Sequence, residues 1–301
     1  MKHVSTWTVG SVSVTRVEEQ LGFASFPPES YFAGFERDVL DRHLGWLEPN
    51  HYRRETNQLI TSVHSWLIRT GRHTILLDGC AGNHKERSWL PRFHQLDTPW
   101  LERLRAAGAA PEDIDVVLCT HLHEDHLGWN TRLRDGRWVP TFPNATYLFS
   151  REENDYWDPT QHPDAPEEPI RKVLYRDSVL PVIEAGQALL IEGTHAIDDE
   201  LRVEPAPGHT PRLVILKLDA GGERAVFCGD VLHHALQVYA PHWNSRFCVL
   251  PEQARSTRRR VLEHCAGEGA LLFPAHFGAP HVAAIAAEAR GFSVQFVPPS
   301  D

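Results

Sequence analysis

Several things are scarce in this 301-residue chain. No apolar run approaches the ~20 residues that a membrane-crossing helix needs, so no membrane role is expected. Met1–Gly10 lacks the apolar region of a signal peptide, and a cytoplasmic chain is expected. Cysteine is limited to Cys80, Cys119, Cys228, Cys248 and Cys265. None forms a Cys-x-x-Cys pair, and the odd number argues against a disulfide framework. Cys119 and Cys228 lie in apolar strand-like runs and read as buried thiols. Positive charge is short too: 30 Lys and Arg against 40 Asp and Glu leave a formal −10. That opposes nucleic-acid binding, whose affinity comes largely from cations meeting phosphate. The basic run Arg255–Arg260 falls in a helix predicted over Pro251–Cys265, beside Glu252 and Glu263, and reads as a solvated helix face. There is no short internal repeat, no low-complexity tract and no Gly-x-Ser-x-Gly elbow for a serine nucleophile.

What is present is a concentration of metal-ligating side chains. Residues 121–126 read His-Leu-His-Glu-Asp-His, three histidines and an aspartate in six residues. The preceding run, Ile114–Cys119, is apolar and β-branched, as a buried strand should be. Gly128 permits a tight turn after the cluster. Three further sites place one ligand just past a strand-like run: His209 in Pro207-Gly-His209, Asp230 in Gly229-Asp230, and His276 in Pro274-Ala-His276. Each alone is weak, because a lone histidine after a strand is more often structural. Together they make an inert reading improbable. The ligands are nitrogen and oxygen only, which suits zinc, with iron, manganese or cobalt as alternatives.

The remaining pattern mixes strands with helices. Trp7–Val17 predicts a hairpin turning at Gly10-Ser11, and Ser62–Arg69 with His73–Leu77 a second. Leu21–Gly34 reads as an ordered aromatic loop, too aromatic for a linker. Helices are predicted at Arg37–Leu47, Pro99–Gly108, Glu152–Trp157 and Ile170–Ile183, the last shortened by Pro181. Ala145–Phe149, Arg212–Leu218 and Glu223–Cys228 read as strands. Gln161–Pro169, with three prolines, reads as an exposed loop. The C-terminal part predicts helix Pro251–Cys265, strand Ala270–Phe273, helix His281–Arg290 and strand Ser293–Val297. This order fits two packed sheets with helices outside.

His-x-His-x-Asp-His, then Gly-His, Gly-Asp and a late Ala-His, in that order, resembles the pattern of the metallo-β-lactamase superfamily, from about His64 to about Phe277. The resemblance implies an α/β fold, the four-layer αββα sandwich. One domain is expected over 1–301, with 1–58 including a hairpin and an aromatic arm. It also implies two metal ions: His121, His123 and His209 on the first, Asp125, His126 and His276 on the second, and Asp230 bridging. Asp125 and Asp230, with a hydroxide held between the ions, would then be catalytic.

Finer features narrow the branch. The diiron electron-transfer branch usually has Glu where His123 stands. Asp230 resembles the bridging carboxylate of the glyoxalase II, lactonase and phosphotriesterase-like branches. The motif surroundings and aromatic arm look most like the lactonase and methyl-parathion-hydrolase-like group. Small lactonases of that group carry Tyr three residues after the bridging Asp; here the residue is His233, which fits the parathion-hydrolase-like subgroup better. His233 is the candidate proton donor to a leaving alkoxide. Phe23, Phe26, Trp129, Trp157 and His234 are candidates to touch substrate, with core packing as the competing role for the aromatics. Asp78 is a candidate to orient a ligand histidine. The expected activity is opening of a lactone or cleavage of a related ester, small, neutral and partly hydrophobic. No Lys/Arg cluster accompanies the motifs to clamp a phosphorylated substrate. The alternatives are a phosphotriesterase on the same residues, an iron-dependent sulfur dioxygenase, and a non-catalytic metal-stabilised binding protein. Aromatic surface near the arm is a weak pointer to a homodimer.

Overall fold

The structure is a computed structural model that describes residues 4–161 and 168–300. The loop expected over Gln161–Pro169 lies largely outside the described residues. The chain divides into two compact units, Met1–Glu19 with Val63–Gly193, and Gln20–Ser62 with Thr194–Asp301. Among the described residues no helix is long and apolar enough to cross a membrane.

The first unit is organised by a sheet in the order Val4–Val9, Val12–Phe23, Gln58–Arg69, Thr74–Leu77, Val116–Leu118, Thr146–Ser150 and Ala188–Ile191. The two expected hairpins are there, as the antiparallel pairs Val4–Val9 with Val12–Phe23 and Gln58–Arg69 with Thr74–Leu77. The last four strands run parallel. A strand with parallel neighbours on both sides is typically covered on both faces, which is why Val116, Val117 and Leu118 are all apolar and buried. Trp100 and Leu104, from the helix Trp100–Ala106, pack with Leu67, Leu76 and Val117 in the core. Parallel register has a consequence for chemistry: the chain leaves Leu77, Leu118 and Ser150 at one edge of the sheet. Asp78, the loop from Cys119, and the helix Arg151–Trp157 therefore start side by side.

The second unit has a sheet in the order His195–Ala196, Leu201–Pro205, Val214–Ala220, Glu223–Gly229, Leu271–Pro274, Val282–Glu288 and Gly291–Val297. Leu201–Pro205 is antiparallel to Val214–Ala220, which is antiparallel to Glu223–Gly229, which is parallel to Leu271–Pro274. Three of these four strands thus point the same way, and their C-terminal ends share one edge. His209, Asp230 and His276 follow those three ends. The helix Pro251–Glu268 buries Val261, Leu262 and Cys265 against Val226, Leu272 and Ala283. A separate cluster joins Tyr31, Phe32, Leu40, Leu47, Tyr52 and Trp243.

Three expectations are corrected. His281–Arg290 does not form a helix; Val282–Glu288 is a strand, antiparallel to Gly291–Val297 from Val282↔Val297 to Glu288↔Gly291. Its alanines favour helix locally, but the Gly291 turn at φ +103 and pairing with Leu272 decide for a hairpin. Leu21–Gly34 is not only loop: it extends the strand to Phe23 and forms the helix Pro28–Tyr31. Arg258 does not join a solvated helix face. It is fully buried and donates to the carbonyls of Val231, Pro241 and Trp243 and to Asn244 Oδ1.

Candidate metal-binding residues

In the first unit the ligand-rich loop is held from beneath by a carboxylate. Asp78 is buried, at φ +59, a conformation Asp tolerates better than most residues. Its Oδ1 accepts the Thr120 backbone N–H at 2.7 Å, and its Oδ2 lies 2.9 Å from His126 Nδ1. A proton fixed at Nδ1 leaves Nε2 of His126 as the lone-pair donor, and that atom is 3.6 Å from Asp125 Oδ1. Thr120 Oγ1 lies 3.1 Å from His121 Nδ1, and His121 Nε2 is 3.1 Å from His123 Nδ1. His121 and His126 are buried, whereas His123 and Asp125 are half-buried. The turn out of the loop needs glycine for close approach: a Cβ on Gly128 would stand 1.8 Å from the Ala81 carbonyl oxygen.

In the second unit three imidazoles converge on one carboxylate. His209 Nε2 and His233 Nε2 each lie 3.2 Å from Asp230 Oδ2, and His276 Nε2 lies 3.0 Å from Asp230 Oδ1. All four residues are buried. Gly208, at φ +141, lets His209 approach this point; a Cβ there would come within 2.2 Å of the Ala254 nitrogen at the start of the long helix. His276 is fixed through Nδ1, 2.8 Å from the Ser62 carbonyl, and through its own carbonyl, which accepts the Ser62 N–H. Each cluster is a buried or half-buried set of nitrogen and oxygen donors, with His126 and His276 each held at Nδ1 by an oxygen acceptor, the arrangement that suits a zinc-type cation.

The candidate substrate residues part company. Trp157 is buried with its ring edge-on to His123 at 5.2 Å, and its Nε1 donates to Glu153. Phe26 packs on Phe247 at 6.1 Å; Phe247 meets Tyr31 at 5.8 Å, and Tyr31 stands edge-on to His233 at 6.2 Å. Phe23 is exposed beside Arg53. Trp129 and His234 are both committed to other contacts. Trp129 is buried, stacked 5.1 Å from Trp100 with Nε1 donating to Glu19. His234 is fully buried, with Nε2 2.8 Å from the His51 carbonyl and Nδ1 accepting the Leu236 N–H, so both ring nitrogens are committed.

Several supporting residues were not singled out by the sequence pattern. Glu19 accepts from the Ala81 and Gly82 N–H groups and from Trp129, bracing the segment after Asp78. Burial raises its pKa to about 7 against the effect of those three donors. Glu153 accepts the Leu122 N–H inside the ligand loop. Ser245 Oγ lies 3.0 Å from His233 Nε2, and Cys248 Sγ 3.8 Å from His209 Nδ1. For Glu19 the sequence signal is the close run of charges Arg16, Glu18 and Glu19 within one strand; Glu153, Ser245 and Cys248 carried none.

Among known proteins, the family profile of the metallo-beta-lactamase superfamily matches residues 60–276. The N-acyl homoserine lactonase AttM of Rhizobium radiobacter is 31% identical over 102 residues, 30% of this chain and 34% of that protein. The N-acyl homoserine lactonase AiiB of Agrobacterium fabrum is 37% identical over 79 residues, 22% of this chain and 28% of that one. The chain thus spans about a third of the length of the curated relatives it matches. Among solved structures, the hydrolase AbOPH of the beta lactamase superfamily has a TM-score of 0.83 at 23% identity, covering 100% of this chain and 99% of its own. AidC, described as a dizinc quorum-quenching lactonase, has a TM-score of 0.76 at 19% identity, covering 99% and 98%. At these identities the likeness is one of fold: mixed α/β, with sheets flanked by helices.

Proposed function

The chain belongs to the metallo-beta-lactamase superfamily, and from that premise we propose that it is a dinuclear metallohydrolase that opens lactones or cleaves related esters. The observation that carries the reading is the convergence of His209, His233 and His276 on the Asp230 carboxylate at 3.0–3.2 Å. Three buried imidazoles around one carboxylate are poorly accounted for as packing, and well accounted for as a site for cations. In the proposal His121, His123 and His209 hold one ion, Asp125, His126 and His276 the other, and Asp230 both, with zinc the preferred metal. Bound there, the ions supply Lewis acidity and a hydroxide at neutral pH.

The protein's own residues do the rest. Asp78 fixes the His126 tautomer, and the Ser62 carbonyl fixes that of His276. The expected role of His233 as proton donor to the leaving alkoxide is modified. Its ring is buried, and Nε2 already faces both Asp230 and Ser245. In this reading His233 orients Asp230. The apolar series Phe26, Phe247 and Tyr31 ends at His233 and supports a neutral, partly hydrophobic acyl substrate. The curated relatives' names favour N-acyl homoserine lactones as the first class to try.

The test is metal content followed by kinetics. Two equivalents of metal per chain are expected, with activity lost to a chelator and restored by zinc. Lactones and aryl esters should exceed phosphotriesters in kcat/KM. One tightly bound iron and no hydrolysis would identify the dioxygenase alternative, and paraoxon outrunning every lactone and ester would identify the phosphotriesterase.

A further inference from the structure

The segment 244–250 touches both histidines that lie on Asp230 Oδ2, although it carries none of the family's ligand motif. Asn244 and Ser245 pair with Ala33 and Phe32 as a two-residue ladder. The buried Arg258 grips the Trp243 carbonyl and Asn244 Oδ1. Beyond them the backbone is tied to the His209 turn: the Val249 N–H donates to the His209 carbonyl at 2.8 Å, and the Leu250 N–H to that of Gly208 at 2.9 Å. These bonds bring Cys248 Sγ to 3.8 Å from His209 Nδ1. Ser245 Oγ stands 3.6 Å from the same sulfur and 3.0 Å from His233 Nε2.

A histidine that ligates through Nε2 carries its proton on Nδ1, and the acceptor for that proton sets the tautomer and aims the ring. For His126 the acceptor is Asp78, and for His276 the Ser62 carbonyl. For His209, whose Nε2 faces Asp230, the geometry puts a thiol in that position. We propose that Cys248 is a positioning residue, its sulfur accepting the Nδ1–H of His209 and thereby presenting Nε2 to a metal ion, with Ser245 linking it to His233. The inference rests on the metallohydrolase reading above. Sulfur is a weak acceptor, so this ligand is held less firmly than one backed by a carboxylate. Cys248 is also set apart by exposure: it is half-buried, whereas Cys80, Cys119, Cys228 and Cys265 are buried.

The test compares wild type with Cys248→Ala and Cys248→Ser. Zinc affinity is measured by competition with a chromophoric chelator, and the His209 tautomer of the metal-free protein by long-range nitrogen–proton NMR. Melting of the metal-free protein serves as the control. Cys248→Ala should weaken zinc roughly tenfold or more and mix the His209 tautomers, with little change in metal-free melting. Cys248→Ser, which keeps an acceptor, should restore the Nδ1–H tautomer and most of the affinity. Zinc affinity in Cys248→Ala within about twofold of wild type overturns the inference while leaving the metallohydrolase in place. So does equal loss in both variants together with a matching fall in metal-free melting, which would mean packing alone. A wild-type protein that binds neither zinc nor iron, manganese or cobalt overturns the inference and the functional reading together.

Discussion

The two ligand clusters are built by opposite means. In the first unit His121, His123, Asp125 and His126 come from one loop of six residues, and the fold only has to hold that loop. In the second unit His209, Asp230 and His276 are spread over 68 positions, and only the common direction of three strands puts them at one edge. Their bracing differs as well. The loop rests on buried carboxylates, Asp78 beneath His126 and Glu153 at the Leu122 N–H. The strand-end cluster is braced by a backbone carbonyl, a hydroxyl and a thiol. A local cluster concentrates its ligands in sequence but needs a dedicated support. A dispersed one draws its geometry from the sheet and needs only modest partners at each ring.

The largest expected effect is at the point where the dispersed cluster converges. Asp230→Asn keeps the shape and removes the charge that three imidazoles face. We expect kcat to fall by about a hundredfold or more, with melting changed far less. Near-wild-type turnover with both metals retained would refute the central role of this carboxylate.

Next comes the support of the local cluster. Asp78→Ala removes the partner of His126 Nδ1 and of the Thr120 N–H. Metal affinity should drop roughly 10- to 100-fold. Stability should fall by about 1–3 kcal/mol for the buried groups left unpaired. The comparison with Cys248→Ala measures the asymmetry directly: the carboxylate-backed histidine should lose more than the thiol-backed one. Equal losses would mean that the type of brace is immaterial.

The units should also answer pH in opposite senses. Glu19 has a folded pKa raised to about 7, above its usual value of 4.5. The folded state therefore holds the extra proton between those values, and its contribution is lost as pH rises through about 7. In the second unit burial lowers His51 to about 2 and His234 to about 4, from 6.5. There the unfolded chain takes up the proton first, so stability falls as pH drops below 6.5, by on the order of 3 kcal/mol for His234 by pH 4. Hydrogen exchange between about pH 4.5 and 7, below the range in which the buried Lys85, lowered to about 7, adds an opposing response, would resolve the two. Segments around Ala81–Gly82 and Trp129 should loosen toward high pH, and those around His51 and His234 toward low pH. Parallel responses in both units would defeat the assignment. Glu19→Gln should flatten the first response alone.

The smallest effect concerns the aromatic series. Phe26→Ala should raise KM for hydrophobic acyl substrates roughly fivefold, from about 1 kcal/mol of partial apolar burial lost, with kcat little changed. A change confined to kcat would remove Phe26 from substrate contact.

Local and periodic features were legible in the chain itself. The hairpin at Gly10-Ser11, the buried strand before His121 and the helix at Arg37–Leu47 follow from spacing and turn chemistry, and the ligand loop from composition within six residues. Asp78 stood out as a carboxylate at a strand end. The strand Val282–Glu288 misled, because its alanines favour helix and only its partners across the sheet make it a strand. His234 and Trp129 lie close to candidate ligands along the chain, and the contacts that hold them, to His51, Phe32 and Trp100, come from distant parts of it.

The sequence by itself determined the candidate ligand types, their order and the superfamily, because metal chemistry demands particular atoms and local spacing preserves them. The tertiary structure alone decided that Glu153, Ser245 and Cys248 stand behind the candidate ligands, that Glu19 braces the segment after Asp78, and that Arg258 turns inward. A supporting contact needs only an acceptor or donor at the right distance. Many residue types supply one, from any point in the chain, so it leaves no mark in the sequence until strands and helices bring it into place.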